Sequence, residues 1–286
     1  MQIWLTRDVG AFAERARLYL AARIERNVLA TVTAVLLTEG ALAHGGEPWF
    51  ALGLEAATGE VAAAALRTPP RAMLAVGFDD PEAARALVDA FLAIDPDPPG
   101  VNGGPRAARA IASAWATATG GTSVLARRIA LHELHELTPP ADPPPGGLRP
   151  AGPDDLELLA RWYGDFSVEA HGIAAVDAHR SAWRAIAFGR AHVWDDGGQR
   201  ATVGHSSAVA GVCRIGPVYT PPEHRGRGYA GAAVAELSRR LLGREAERCI
   251  LNTDLANPIS NRIYAALGYR RCGDWEEHAF LSDSGV

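Results

Sequence analysis

Apolar residues recur at four-residue spacing over residues 8–38, where Phe12, Ala16, Leu20 and Ile24 share a face and Glu14, Arg15, Arg17 and Arg23 fill the others. The pattern predicts two helices, parted near Asn27, the second ending at Gly40. The period then shortens. Residues 49–70 hold two apolar runs around Ala57-Thr58-Gly59, which predict a β-hairpin, and Arg71 to Gly77 predicts a third strand. Asp80-Pro81 supplies an N-cap and a first-position proline for a helix with Leu87, Val88, Phe91 and Leu92 as its apolar stripe. Pro96 to Pro105 reads as a loop, Ala107 to Ala118 as a helix and Thr122 to Leu137 as a strand.

Periodicity stops between Leu137 and Pro153, LTPPADPPPGGLRPAGP, a proline- and glycine-dense stretch suited to a semi-rigid linker. It predicts two domains, 1–143 and 144–286. After a short edge strand at Gly147 to Pro150, a helix follows Asp154 with Leu156, Leu159 and Trp162 inward. Ala175 to Phe188 predicts another helix, and a meander runs from Ala191 to Val212 through the turn Asp195-Asp196-Gly197-Gly198. A strand then covers Ile215 to Thr220, ended by Pro221-Pro222, which cannot donate to a sheet. Tyr229 to Leu242 is amphipathic, with Ala230, Ala233, Val234, Leu237 and Leu241 on one stripe and Gly243 as its stop. Cys249 to Thr253 predicts a buried strand parallel to Ile215–Thr220, because a helix crosses between them. Asn257-Pro258 opens a last helix packed through Ile259, Ile263 and Leu267, and Tyr269 to Leu281 returns as strand.

The sequence therefore predicts an α/β class with a mixed sheet. With 48% apolar residues in 286, a sizeable core can form, and a net charge of −5 argues against nucleic acid as the main partner. All basic residues except His are Arg, which reads as coding bias. Cys213, Cys249 and Cys272 are dispersed and odd in number, as expected of thiols in a reducing cytosol. No apolar run approaches the roughly 20 residues that span a bilayer, and the N-terminus lacks signal-peptide form. The expectation is a cytoplasmic monomer or homodimer without a membrane partner.

Two motifs carry chemistry in opposite degrees. His132-Glu133-Leu134-His135 is one residue short of the H-E-x-x-H zinc pattern, and on a strand the two imidazoles face opposite ways, so no metal site is expected. Arg225-Gly226-Arg227-Gly228-Tyr229-Ala230-Gly231, by contrast, sits between a strand and a helix. Its amides lack Cβ obstruction, the helix dipole adds to them, and two guanidinium groups flank them, as a diphosphate requires. In the first half the corresponding link, Gly77-Phe78-Asp79-Asp80, carries acids where a phosphate needs cations. Gly226, Gly228 and Gly231 also match G-x-G-x-x-G, with Asp254 about 23 residues on. A dinucleotide fold, however, runs its strand straight into the first glycine, and here Pro221, Pro222, Glu223 and His224 intervene.

V-Y-T-P-P-E-H-R-G-R-G-Y-A followed by N-P-I-S-N-R-I-Y-A-A-L-G-Y resembles the acetyl-CoA site of the GNAT N-acetyltransferase superfamily over residues about 147 to 282. Arg225, Gly228 and Ala230 match its R/Q-x-x-G-x-G/A loop, and Asn257, Ser260, Ile263, Tyr264, Leu267, Gly268 and Tyr269 match its second segment. The two occur in order about 25 residues apart. The resemblance implies a GNAT-type acyl-CoA N-acyltransferase fold, with the first half a degenerate second copy. It implies acetyl-CoA as co-substrate, its pantetheine arm along Val218, Tyr219 and Thr220, its diphosphate on Gly226 to Gly231 with Arg225 or Arg227, and contacts from Asn257 and Asn261. Tyr264 is the matching general acid for the departing thiolate, and a backbone N–H near Tyr219 the oxyanion donor. Asp254, at a strand end, is the first choice for the base that deprotonates an amine acceptor, with Glu169, His171 and His205 as further candidates. The implied activity is acetyl transfer to a primary amine by direct attack. The alternatives are a non-catalytic acyl-CoA-binding or sensing module, which needs the loop and not Tyr264, and a dinucleotide-binding enzyme.

Overall fold

The computed structural model describes residues 1–40, 47–172, 174, 175 and 177–281. The chain forms two compact units: Met1–Leu131 with Asn252–Asn257 and the stretch from Cys272 onward, and His132–Leu251 with Pro258–Arg271. This division differs from the expected linear boundary near residue 143. The first break falls after Leu131, and both Asn252–Asn257 and the last strand from Cys272 on group with the first unit.

In the first unit, β1 (Gln2–Thr6), β2 (Trp49–Leu54), β3 (Val61–Arg67), β4 (Met73–Val76), β5 (Gly100–Gly103), β6 (Thr122–Leu134) and β12 (Arg270–Leu281) lie in the order β1-β2-β3-β4-β5-β12-β6. β12 is antiparallel to β5 from Glu276↔Gly103 to Ala279↔Gly100. Helices α1 (Val9–Ala21), α2 (Asn27–Glu39), α3 (Pro81–Leu92) and α4 (Pro105–Thr119) complete it. Aromatic pairs fill the core: Trp115 stacks on Phe280 with ring centroids 4.3 Å apart, and Phe12 on Phe50 at 4.8 Å. Two strands run where sequence periodicity gave none. β1 precedes the first helix, and β5 lies inside the stretch read as a loop. Its sequence, Gly-Val-Asn-Gly, has little strand propensity, yet Gly103 lets β4 approach so closely that a Cβ there would lie 2.1 Å from the Ala75 carbonyl oxygen.

The second unit sets α5 (Leu156–His171), α6 (Ala178–Ala187), α7 (Tyr229–Leu241) and α8 (Pro258–Ala266) against β7 (Gly147–Pro150), β8 (Ala191–Asp195), β9 (Gln199–His205), β10 (Val212–Tyr219) and β11 (Arg248–Asp254), ordered β11-β10-β9-β8-β7. β7 to β10 form an antiparallel meander, and β10–β11 is parallel. One apolar cluster joins Cys213, Ile215, Val234, Leu237, Leu251, Tyr264 and Leu267. Another joins Leu159, Trp162, Tyr163, Ala182, Val193 and Tyr219. Side chains alternate along a strand, so the register shift between Ile215 and Val218 decides this partition. It returns Val218 to the cluster of Ile215 and sends Tyr219 to the other.

One packing expectation fails. Ile259 is 71% exposed, and the buried residue of α8 is Tyr264. With Pro258 and Ile259 both exposed, the first turn of this nine-residue helix lies outside the core. Of the H-E-x-H residues, His132 is buried in β6, while His135 lies beyond the strand end and is 3.2 Å from Glu133. Among the described residues no His, Cys, Asp and Glu group is arranged to hold a metal, and no helix is long and apolar enough to cross a membrane.

The start of α5 hangs on one buried carboxylate. Asp155 accepts from both terminal nitrogens of Arg149 at 2.7 and 2.8 Å, from Gly152 N–H at 2.8 Å and from Gln199 at 3.1 Å. Arg149 above all holds its pKa down to about 2. Asp155→Asn is expected to cost about 2 kcal/mol of unfolding free energy at pH 7, read from urea melts. The group is charged in the fold down to about pH 2 and protonates near 4 when unfolded. The wild-type advantage should therefore be full above pH 4 and decline as pH falls from about 4 to 2.

Candidate functional site

Parallel β10 and β11 pair only from Val212↔Arg248 to Arg214↔Ile250, although β10 runs on to Tyr219. The parting coincides with the bulge at Gly216-Pro217. Proline cannot donate to a ladder, and a bulge bends its strand. Beyond Arg214, β10 has no parallel pairing to β11 among the described residues. In the first unit β4 and β5 pair along three of their four residues.

β10 ends at Tyr219, and Thr220 and Pro221 lead into a 3-10 turn at Pro222–His224. These are the residues that separate strand from glycines and set this loop apart from a dinucleotide turn. Gly226 (φ 75°) and Gly228 (φ 82°) take left-handed backbone, and Gly228 is the residue before α7. No side chain caps the helix. Among the described residues the amides of Gly226 to Gly231 meet no acceptor. They form a run of donors at the positive end of a 13-residue helix. Arg227 is exposed beside them and has no hydrogen-bond or ion-pair partner among the described residues. Gly231 serves packing, since a Cβ there would touch Ile263 at 3.4 Å. The matching helix of the first unit, α3, is closed by its own acid: Asp80 accepts from Glu82 and Ala83 N–H at 3.0 Å each.

The loop is held from several sides. Tyr229 donates its hydroxyl to Asp196 at 2.7 Å, and this bond above all pushes the phenol pKa up. Arg225 donates Nε to the Thr220 carbonyl at 2.9 Å and Nη2 to Glu169 at 2.9 and 2.7 Å. Tyr219 also donates to Glu169, at 3.3 Å. Pro144, from the linker stretch, lies 3.6 Å from where a Cβ of Gly228 would stand. The buried Thr220 hydroxyl has no partner among the described residues.

Tyr264 is 8% exposed, edge-on to Tyr269 with ring centroids 6.0 Å apart. Its hydroxyl has no hydrogen-bond partner among the described residues, and burial pushes its pKa up to about 12. Tyr269, by contrast, bonds Ser238 at 2.8 Å. Asn261 lies half-buried on α8, one turn before Tyr264. Asp254 and Asn257 belong to the segment grouped with the first unit. There the Asp254 carboxylate accepts from Ala256 N–H at 2.8 Å and its carbonyl from Asn257 N–H at 3.0 Å, so Asp254 builds the turn that leads out of β11. His205 is 2.9 Å from the Ser206 carbonyl through Nδ1. The side chain of His171 lies outside the described residues. Sequence reasoning missed the bulge, whose signal was Gly-Pro within a strand. It also missed the Glu169–Arg225 pair, 56 residues apart, for which no local signal exists.

Residues 131–269 match the model of the acetyltransferase (GNAT) family, and that stretch is a GNAT acetyltransferase domain. No curated protein matches the sequence. Solved structures match nearly the whole chain. A GNAT-family acetyltransferase from Colwellia psychrerythraea is 10% identical over 99% of this chain and 100% of that one, with a TM-score of 0.61. A tandem GNAT protein from the clavulanic acid biosynthesis pathway, solved without acetyl-CoA, is 14% identical over 100% of both chains at 0.59. A GCN5-related N-acetyltransferase from Sphaerobacter thermophilus is 18% identical over 99% of this chain and 97% of that one at 0.57. At such identities these likenesses establish the fold, a tandem GNAT architecture.

An exposed run of amide donors predicts anion binding by the loop itself. Inorganic pyrophosphate is expected to raise the melting temperature of the wild type saturably and to leave that of Gly228→Glu unchanged. The variant places a carboxylate in the cradle and a Cβ at positive φ, the latter costing about 1–2 kcal/mol. An equal shift in both proteins would contradict the assignment.

Proposed function

We propose that the chain is an acetyl-CoA-dependent N-acetyltransferase acting on a primary amine by direct attack. The observation that carries this reading is the set of amides from Gly226 to Gly231, without an acceptor or a side-chain cap among the described residues, at the start of α7 and after the point where β10 and β11 cease to pair. Such donors suit a diphosphate, and Arg227 adds a cation. Thr220, with its unmet hydroxyl, and Val218 and Tyr219 offer an extended edge to a pantetheine arm.

When bound, acetyl-CoA supplies an activated acyl group and a thiol leaving group. The chain supplies orientation and proton control. A backbone N–H of β10 near Tyr219 donates to the developing oxyanion. Tyr264 keeps its proton at neutral pH, since its pKa stands at about 12, so its hydroxyl is a donor for the departing sulfur and not a base. Asn261 shares its side of α8 and contacts the cofactor. Cys213 and Cys249 are poor nucleophiles for a covalent acyl-enzyme, being buried, and desolvation pushes them up to about 11 and about 12.

The test is CoA release, followed with a thiol reagent, across a broad amine panel. The wild type is expected to release CoA with at least one amine. Tyr264→Phe should lower kcat about 100-fold while CoA affinity changes less than about twofold. Undiminished turnover in the variant would return Tyr264 to a packing role. Acetyl-CoA binding without release to any amine would favour an acyl-CoA sensor.

A further inference from the structure

Arg225 stands first in the loop, yet its amide, Nε and Nη2 are engaged by protein acceptors. Its amide is 3.2 Å from the Pro222 carbonyl, Nε is 2.9 Å from the Thr220 carbonyl, and Nη2 meets both Glu169 oxygens at 2.9 and 2.7 Å. The guanidinium carbon lies 5.7 Å from the centre of the Tyr219 ring, and the Tyr219 hydroxyl shares the Glu169 carboxylate at 3.3 Å. One carboxylate in the last turn of α5 thus collects the end of β10 and the start of the loop.

Both members of the ion pair are 46% exposed, so it adds little to global stability. Its geometry is nevertheless specific. A fork reaches a backbone carbonyl on one side and a carboxylate on the other, which an ammonium cannot reproduce. The link it makes fixes the length of chain between the extended edge at Val218–Thr220 and the amides at Gly226–Gly231. Those two parts must hold a thiol-bearing arm and a diphosphate of one molecule in register.

We propose that Glu169 and Arg225 are a positioning pair for the acyl-CoA site, with Arg225 acting through Thr220 and Glu169 and not as a diphosphate ligand. The inference rests on the acyl-CoA reading above. It assigns direct charge contact to Arg227 and makes α5 part of the machinery that sets the cofactor's place.

Isothermal titration of CoA, and of pantetheine, which lacks the diphosphate, into the full chain tests it. Glu169→Gln and Arg225→Gln are each expected to weaken CoA about fivefold, and the double variant no further, because both remove one link. Arg225→Lys should behave like Arg225→Gln. Pantetheine should lose affinity by the same factor as CoA. Unchanged or tighter CoA binding by Glu169→Gln overturns the inference, because a freed Arg225 is then available to phosphate. Full recovery by Arg225→Lys, or a loss confined to CoA with pantetheine unaffected, overturns it as well. A wild-type chain that binds neither ligand overturns the acyl-CoA reading and this inference together. Tight wild-type binding with a silent Glu169→Gln removes this inference alone.

Discussion

Two parallel strands pair for three residues and then stop, although one of them runs on to Tyr219. That constraint organises the second unit. β10 holds β11 from Val212 to Arg214 and then bulges at Gly216-Pro217. The bulge also resets side-chain parity, so Val218 joins the cluster containing α7 residues while Tyr219 packs among α5 residues such as Trp162. The strand end is thereby fixed through its side chains. The 3-10 turn and the left-handed glycines then lead directly into α7.

The first unit shows what the same order of elements does without that device. β4 leads to α3 as β10 leads to α7, but at α3 the Asp80 carboxylate already accepts from the first amides of the helix. A helix N-terminus capped by its own acid has no vacancy for an anion, in donors or in charge. Gly103 seals β5 against β4 by close approach. A cavity of about 560 Å³ does lie in this unit, lined by Arg109, Ser113, Ser123 and His278 among others, but it faces α4 and not a helix N-terminus. At corresponding places the start of α3 is capped by its own acid and the start of α7 by no side chain among the described residues.

Much of this was legible from residues. Pro-Pro, alternating Arg and Gly, and the Asn-Pro opening of the last helix are local signals, and local chemistry fixes their geometry. Asp80-Pro81 named its own cap. What sequence did not give was non-local. β5 has glycines where a strand wants branched residues, and only its neighbours make it a strand. β12 returns to the first unit, so a linear boundary drawn from proline density differs from the division the contacts make. Ile259 kept helical spacing with Ile263, but spacing does not say how far a core extends. The link from Glu169 to Arg225 spans 56 residues and leaves no periodic trace.

The measurement that bears most directly on the account is a crystal structure with CoA bound. The account predicts diphosphate oxygens within hydrogen-bond distance of the Gly226–Gly231 amides and the sulfur within reach of the Tyr264 hydroxyl. CoA seated against α3 in the first unit, or a sulfur remote from Tyr264, would contradict it.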